Sequence, residues 1–253
     1  EYNMDYRKEI NENNFFSILG GVTYQEFLTR SVASNISGFP SDVLGTNNLL
    51  LGNIATARLA SNKQGNTLLS YLGRVNYNLY DKILLTASVR ADGSSRFGIT
   101  NKYGIFPSFA VGYKLADEDF IPDAFDNLKL RASWGATGNQ EIGNFNSIST
   151  FGTGPNAVFA NQLNTGSIPT RVANPDLKWE SSYQSNFGID LGLFDSRVSL
   201  SLDYYNINTK DLILGDTSQP EYFGFLNNQS LRNIGEINNL ADYVSLKIDS
   251  LGV

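Results

Sequence analysis

Apolar and polar residues alternate along much of this chain, and the alternation predicts amphipathic β-strands. Between Leu69 and Leu79 most odd-numbered positions are apolar, whereas Ser70, Arg74, Asn76 and Asn78 form the opposite, polar face. A period of two is the periodicity of a strand with one apolar face. The pattern recurs at 83–92, 108–115, 128–137, 180–193 and 197–204, and more weakly at 2–6 and 16–24. We expect about ten strands of this kind.

Two tight connections predict how neighbouring strands pair. Residues 80–82 separate the first two segments, and a turn of that length pairs Leu79 with Ile83 and Val75 with Ala87. The connection 194–197 likewise pairs Leu193 with Val198, Leu191 with Leu200 and Phe187 with Tyr204. Apolar residues lie opposite apolar residues in both hairpins, so the two registers are consistent with the alternation.

Short and long connections alternate along the predicted strands. The turns at 80–82 and 194–197 are short, and the one at 117–126 is intermediate. The long segments span 29–66, 93–105, 139–177 and 209–228. Loops of that length are uncommon in compact soluble domains, whereas outer-membrane barrels have short periplasmic turns and long extracellular loops. The chain is therefore predicted to be all-β, an antiparallel transmembrane β-barrel.

A soluble extracellular β-sandwich, acting as a binding or adhesion module, is the alternative interpretation, because it too alternates. Its strands are usually about 5–6 residues long, shorter than most of those predicted here. Aromatic residues also collect toward the strand ends, as in the aromatic girdles of a membrane barrel. They are Tyr77, Tyr80, Tyr113, Phe187 and Tyr204.

Composition restricts the chemistry that the chain can perform. Its 253 residues contain no Cys and no His, which excludes disulfides, a Ser-His-Asp triad and a histidine metal site. The net charge of −6 argues against a nucleic-acid partner. The longest apolar run, 157–160, is far shorter than the ~20 residues of a membrane-spanning helix. We expect no catalytic residue, cofactor or metal, although an outer-membrane enzyme is a third hypothesis.

Charged residues suggest two places for chemistry, and both have simpler interpretations. Asp117, Glu118 and Asp119 cluster in a turn, which we interpret as solvated rather than as a cation site or an acid–base pair, because no second group converges on them. The other charged residues alternate onto the polar face, where they suit the wall of a polar lumen. These are Arg74, Arg90, Arg131, Glu180, Asp190 and Asp203.

Several motifs, in the same order along the chain, resemble the SusC/RagA family of TonB-dependent outer-membrane receptors. They are RADGSSRFG at 90–98, NKYGIFPS at 101–108, LRASWGATGNQEIG at 130–143, NPDLKWE at 174–180, DYY at 203–205, TKDLI at 209–213 and RNIGE at 232–236. The set extends over most of the chain from about 68 to 239.

The resemblance implies a barrel of about 22 strands with an internal plug, energised by TonB. The plug and the TonB box are N-terminal in the family and have no counterpart here, so we expect residues 1–253 to be a portion of the barrel. The implied function is import of oligosaccharides or oligopeptides across the outer membrane of a Gram-negative bacterium. The implied partners are a SusD-like surface lipoprotein, TonB through the missing N-terminal region, and outer-membrane lipid.

One departure from the family pattern lies near the end of the chain. After Asn239 the family usually continues with a strand that contains Lys-Gly, whereas 240–247 resembles a strand found much later in family members. A segment missing between 239 and 240 would account for this departure.

Six loop residues are candidate ligand contacts at the mouth of the predicted barrel. Arg96, Phe97 and Tyr103 lie in one long loop, and Asn139, Gln140 and Asn144 begin the next. Aromatic rings stack on a sugar or peptide, and amides hydrogen-bond with it. The alternative is that these residues pack one loop against another.

Overall fold

The computed structural model of the chain describes residues 1–43, 45–122, 124–171, 173–195, 197–216 and 230–248. Within these ranges nearly all regular structure is antiparallel β-sheet. Three 3-10 turns are short exceptions, at Gly45–Asn47, Leu49–Leu51 and Ile54–Thr56. Nowhere in the described part of the chain is a helix long and apolar enough to cross a membrane.

Nine strands of the described residues form one sheet, and two form a separate hairpin. The sheet contains β1 (Tyr2–Asn11), β2 (Asn14–Asn35), β3 (Arg58–Leu79), β4 (Ile83–Ser94), β5 (Tyr103–Lys114), β6 (Phe125–Asn139), β9 (Glu180–Leu193), β10 (Val198–Asp216) and β11 (Ser230–Ile248). The hairpin between β6 and β9 consists of β7 (Phe151–Phe159) and β8 (Gln162–Pro169). The strands of the sheet follow chain order, so β6 pairs directly with β9.

The predicted registers of both tight hairpins are confirmed. Val75 lies opposite Ala87, and Leu191 lies opposite Leu200. Tyr80 and Asp81 have φ values of 54° and 55° in the first turn. Consecutive residues with positive φ are typical of hairpin turns whose twist matches the twist of the flanking strands.

The alternation between short and long connections is also present, with shorter loops than predicted. The prediction of a loop over 29–66 is wrong, because β2 and β3 pair as far as Asn35 and Arg58 and leave only 36–57 as loop. Residues 29–35 and 58–63 of the missed strand ends are exposed on both faces, so no buried face produces an alternation there. The predicted loop 139–177 contains β7 and β8. Of the predicted loop 209–228, residues 209–216 belong instead to β10, and the remainder lies outside the described residues.

The sheet remains open, with β1 and β11 at its edges in the described part of the chain. A single open sheet cannot bury an apolar face between two sheets, as a sandwich does. The β-sandwich alternative is therefore not supported. Strand β11 pairs with β10 continuously across Asn239 and Leu240, and the missing segment proposed at that point stays a prediction.

Candidate functional site

The polar face of the sheet is a hydrogen-bonded surface that crosses strand after strand. Asn76 Nδ2 donates to Ser17 Oγ at 3.1 Å, and Thr86 Oγ1 donates to Asn76 Oδ1 at 3.0 Å. The hydroxyls of Ser88 and Ser108 are 2.7 Å apart. Because each pair joins adjacent strands, the polar face supplies much of its own hydrogen bonding.

An ion cluster on the same face joins three strands. Arg131 of β6 makes two hydrogen bonds with the Asp190 carboxylate, at 2.7 and 2.9 Å, and lies 3.0 Å from Asp203 of β10. Ser201 Oγ also donates to Asp190 at 3.0 Å. Gly188 occupies the register position between Arg131 and Asp203, and a Cβ there would lie 2.5 Å from the Asp203 carboxylate. The missing side chain lets Arg131 reach across β9.

Arg90 forms a second, smaller ion cluster on this face. Its Nε lies 2.7 and 2.9 Å from the two Asp92 oxygens, and its Nη2 donates to Ser70 Oγ at 3.1 Å. Paired charges on a polar wall suit the predicted lumen lining.

The opposite face of the sheet is apolar and exposed, with its aromatic rings in rows. Phe109 stacks on Trp134 at a centroid distance of 6.2 Å, and Trp134 stacks on Tyr183 at 6.3 Å. Phe187 packs against Tyr204 at 6.5 Å. Phe109 and Phe187 are each 56% exposed. Exposed apolar area of this extent is characteristic of a surface that contacts another apolar phase.

The buried apolar cluster of the described residues lies at the end of the sheet that carries the long loops. We call it the loop hub, and it consists of Phe97, Phe106, Ala136, Ile142, Leu177 and Trp179. The Trp179 ring packs at 5.2 Å from Phe97 and 5.5 Å from Phe106, and its Nε1 donates to the Lys102 carbonyl at 3.2 Å. The hub therefore ties together the loops that precede β5 and β9.

The first three candidate ligand contacts have different environments. Arg96 Nη1 donates to the Gln140 carbonyl at 2.9 Å and lies 3.2 Å from the Glu141 carboxylate. Phe97 is 5% exposed and belongs to the loop hub, as expected for loop packing. Tyr103 is 53% exposed at the start of β5.

The other three candidates lie along the start of the loop after β6. Asn139 Nδ2 donates to Glu180 Oε2 at 2.6 Å, at the rim of the sheet. Gln140 Oε1 and Asn144 Oδ1 are buried without a hydrogen-bond partner among the described residues. The structure thus brings Arg96 and Gln140 together and places Phe97 in the loop hub, and a ligand role for the six residues stays a prediction.

Trp179 and Leu177 were not assigned a role from the sequence, although both belong to the NPDLKWE motif. Leu177 is fully buried and Trp179 is 6% exposed. Two large apolar side chains in an otherwise polar loop segment were the signal available in the sequence.

The interpretation of the acidic turn needs a correction at Glu118. Lys82 Nζ lies 3.1 Å from Glu118 Oε1, and the Tyr113 hydroxyl donates to the same oxygen at 2.9 Å. These hydrogen bonds, first that of Lys82, lower the pKa of Glu118 below its usual value of 4.5. Two groups therefore converge on Glu118 and join the turn after β5 to the turn after β3, which a reading of the local sequence did not reveal.

Comparison with known proteins shows similarity to TonB-dependent receptors. The family model described as TonB dependent receptor-like, beta-barrel matches residues 2–239. The chain is 37% identical over 238 residues to TonB-dependent receptor P3 of Formosa agariphila, covering 93% of this chain and 23% of that protein. It is 38% identical over 180 residues to TonB-dependent receptor SusC of Bacteroides thetaiotaomicron, covering 69% and 18%.

A similar solved structure is that of the RagAB peptide transporter. The TM-score is 0.81 at 29% identity, over 97% of this chain and 27% of that chain. The chain spans about a quarter of the length of the Formosa relative and of the RagAB chain. The sheet described above therefore corresponds to a portion of a larger barrel.

Proposed function

The chain belongs to the TonB-dependent receptor-like β-barrel family, and on this premise we propose that it forms part of the wall of a SusC-like nutrient importer. Its place is the outer membrane of a Gram-negative bacterium. The proposed activity is energised uptake of oligosaccharides or oligopeptides. The peptide class is supported by the 29% identity to the RagAB peptide transporter.

The observation that supports this function best is the separation of the two faces of one sheet. The polar face holds the Arg131 and Arg90 ion clusters, and the apolar face exposes Trp134 and its aromatic neighbours. In a barrel the polar face lines a hydrated lumen and the apolar face contacts lipid, so each face adjoins a medium of its own polarity.

The residues of the polar face and of the loop hub are proposed to support the wall and to recognise cargo, and to catalyse no reaction. Paired charges keep the lumen wall hydrated, and the loop hub holds the extracellular loops in place. Among the described residues no group of three or more acidic side chains converges to hold a metal ion. We propose a receptor portion without catalytic residues or a cofactor, and its membership of a receptor family supports this.

The proposed partners are a SusD-like surface lipoprotein over the extracellular mouth and TonB at the periplasmic side of the intact receptor. Similarity to SusC and to RagAB supports the lipoprotein partner. The RagAB importer has a closed-closed and an open-open state, which supports a mouth that opens and closes. Asn139 lies at the rim and is the candidate residue best placed to touch cargo there.

The test is uptake by cells of the source strain. Labelled oligosaccharides and oligopeptides are supplied to wild-type cells, to cells that lack the intact receptor, and to wild-type cells whose proton-motive force is collapsed. We expect uptake of at least one cargo class to disappear in both of the last two cases. Uptake that persists without the receptor would contradict the proposal.

A further inference from the structure

A trough crosses the polar face just below the loop hub. Its floor follows one register row, in which Arg74, Ser88, Ser108, Gly135 and Gln184 lie on successive strands of the sheet. The concavity has a volume of about 680 Å³. Four strand spacings of about 4.8 Å make the row roughly 19 Å long, enough for an extended oligomer of several residues.

The middle of the trough is open because the row carries small side chains there. Ser88 and Ser108 hydrogen-bond with each other, and Gly135 has no side chain. A Cβ at Gly135 would lie 3.0 Å from the Cβ of Ser108. Arg74 at one end and Gln184 at the other are the long polar side chains of the row.

The lining of the trough is positively charged, although the whole chain carries −6. Its charged members are Arg74, Arg90 and Asp92, so two arginines and one aspartate leave a net charge of +1. Arg90 and Asp92 form an ion pair, so Arg74 supplies the net positive charge, which attracts ligands of the opposite sign.

Arg74 differs from the other arginines of the polar face. Arg90 is paired with Asp92, and Arg131 is paired with Asp190 and Asp203. The Arg74 side chain has no hydrogen bond or ion pair with any residue that the structure describes. Its register neighbours are Leu19 and Ser88, and neither can neutralise it.

A guanidinium without a described partner is matched to oxyanions, and the carboxylate is the oxyanion that peptides and acidic sugars carry. The guanidinium presents five N–H donors in a planar fork, which binds a carboxylate with two parallel hydrogen bonds. At the end of a trough the fork would hold the acidic group of an oligomer whose remaining length lies along the small side chains. Thr137 lines the same concavity and its hydroxyl has no partner among the described residues.

We propose that Arg74 is an anion-recognition residue of the lumen, which binds a carboxylate borne by an oligomer lying in the trough. The inference rests on the proposed import function and specifies the cargo as one with a carboxylate, such as a peptide C-terminus, an acidic side chain or a uronate. The same chemistry has a second source, an acidic residue of the plug in the intact receptor.

Arginine modification of the intact, purified receptor tests the site directly. Phenylglyoxal labels accessible arginines, and mass spectrometry reads the rate at Arg74, with the ion-paired Arg131 as internal reference. The probes are an acetylated Ala-Ser hexapeptide with a free or an amidated C-terminus, and trigalacturonate with its methyl ester.

If cargo supplies the carboxylate, Arg74 reacts in the empty receptor, and the acidic member of at least one probe pair protects it while its neutral counterpart does not. If the plug supplies it, Arg74 is unreactive from the start and becomes reactive when the plug is deleted. Three results would overturn the proposal. The acidic probe and its neutral counterpart could protect Arg74 equally, or no probe could protect a reactive Arg74. Arg74 could also stay unreactive after the plug is deleted.

Substitutions then measure the contribution to affinity. R74Q should weaken binding of the protecting acidic probe about tenfold, consistent with loss of a charge-assisted pair, and leave its neutral counterpart within about twofold. R74K keeps the positive charge without the planar fork of donors, so its affinity for the acidic probe should lie between the affinities of wild type and R74Q. R30Q, which removes an exposed arginine of β2 outside the trough, is the matched control and should change neither.

The result is separable from the uptake experiment. Protection of Arg74 without cellular uptake of any cargo keeps the anion site and removes the import proposal. Uptake that depends on the receptor, with an Arg74 that no acidic group protects, removes the site and keeps import.

Discussion

At the scale of single residues, a missing side chain has as much effect on the polar face as a charged one. Gly188 lies on the strand between Arg131 and Asp203, and the guanidinium crosses the space above it. The ion cluster therefore extends over β6, β9 and β10. The contact between Arg131 and Asp203 joins two strands that are not neighbours, so the pairing of adjacent strands does not predict it.

Gly188→Ala should displace both the Asp203 carboxylate and the Arg131 guanidinium, because the added Cβ would lie 2.5 Å from the first and 2.8 Å from the second. Because both side chains are flexible and partly exposed, we expect a loss of about 1 kcal/mol or less and a folded barrel. The measurement is the heat-modification temperature of the intact receptor. Gly20→Ala is the matched control, since an added Cβ there has no neighbour within 4 Å. Equal behaviour of the two variants would show that Gly188 is not needed for the bridge.

Leu200 and Ser201 are sequence neighbours that lie on opposite faces. Leu200 pairs with Leu191 on the apolar face, and Ser201 donates to Asp190 on the polar face. Leu200→Arg should reduce the folded receptor, at a cost below the ~2–4 kcal/mol of the bilayer centre because Leu200 is the third residue of β10 after the turn, whereas Ser201→Arg meets a carboxylate and water. The amount of heat-modifiable receptor in outer membranes measures both. The reverse order would show that the faces are wrongly assigned.

At the scale of elements, the turn after β5 is joined to the turn after β3 through one carboxylate. Glu118 accepts hydrogen bonds from Lys82 and Tyr113, so its ionised form stabilises the contact between the turns. Because its pKa is lowered on folding, this stabilisation is present above the usual value of 4.5 and is lost as the pH falls through the folded pKa.

Glu118→Gln should therefore lower the heat-modification temperature at pH 7, and the gap to wild type should close as the pH falls well below 4.5. Asp117→Asn is the control, since Asp117 is exposed in the same turn and has no hydrogen bond or ion pair among the described residues. A gap that stays constant from pH 7 to strongly acidic pH would contradict a role for the ionised carboxylate.

At the scale of the whole molecule, the alternation of loop lengths predicts which end of the sheet faces outward. The hairpin of β7 and β8 and the loop hub lie at the end with long connections, and the turns after β3 and β9 lie at the other. Long loops are extracellular in outer-membrane barrels.

A short epitope inserted at the Ala160–Asn161 turn should be detected on intact cells, and one inserted at Asp195 should be detected only after the outer membrane is permeabilised. Both sites are tight turns with positive φ, so the insertions are comparable. Surface detection at Asp195 alone would invert the topology.

The sequence by itself determined the faces of most strands of the sheet and the register of the tight hairpins. The period of two assigns each side chain to a face, and Leu79 with Ile83 or Leu191 with Leu200 then follows from the length of the turn. These are local properties, set by residues that are close in the chain, and for that reason they could be predicted without a structure.

Only the tertiary structure decided which distant side chains meet. Four features each depend on three or more segments: the reach of Arg131 over Gly188, the Glu118 contact between turns, the packing of Trp179 in the loop hub, and the position of Arg74 away from any described partner. The free ends of β2 and β3 also escaped prediction, because strands exposed on both faces leave no alternation. Periodicity reports burial along one strand, whereas a site depends on how several strands and loops are placed side by side.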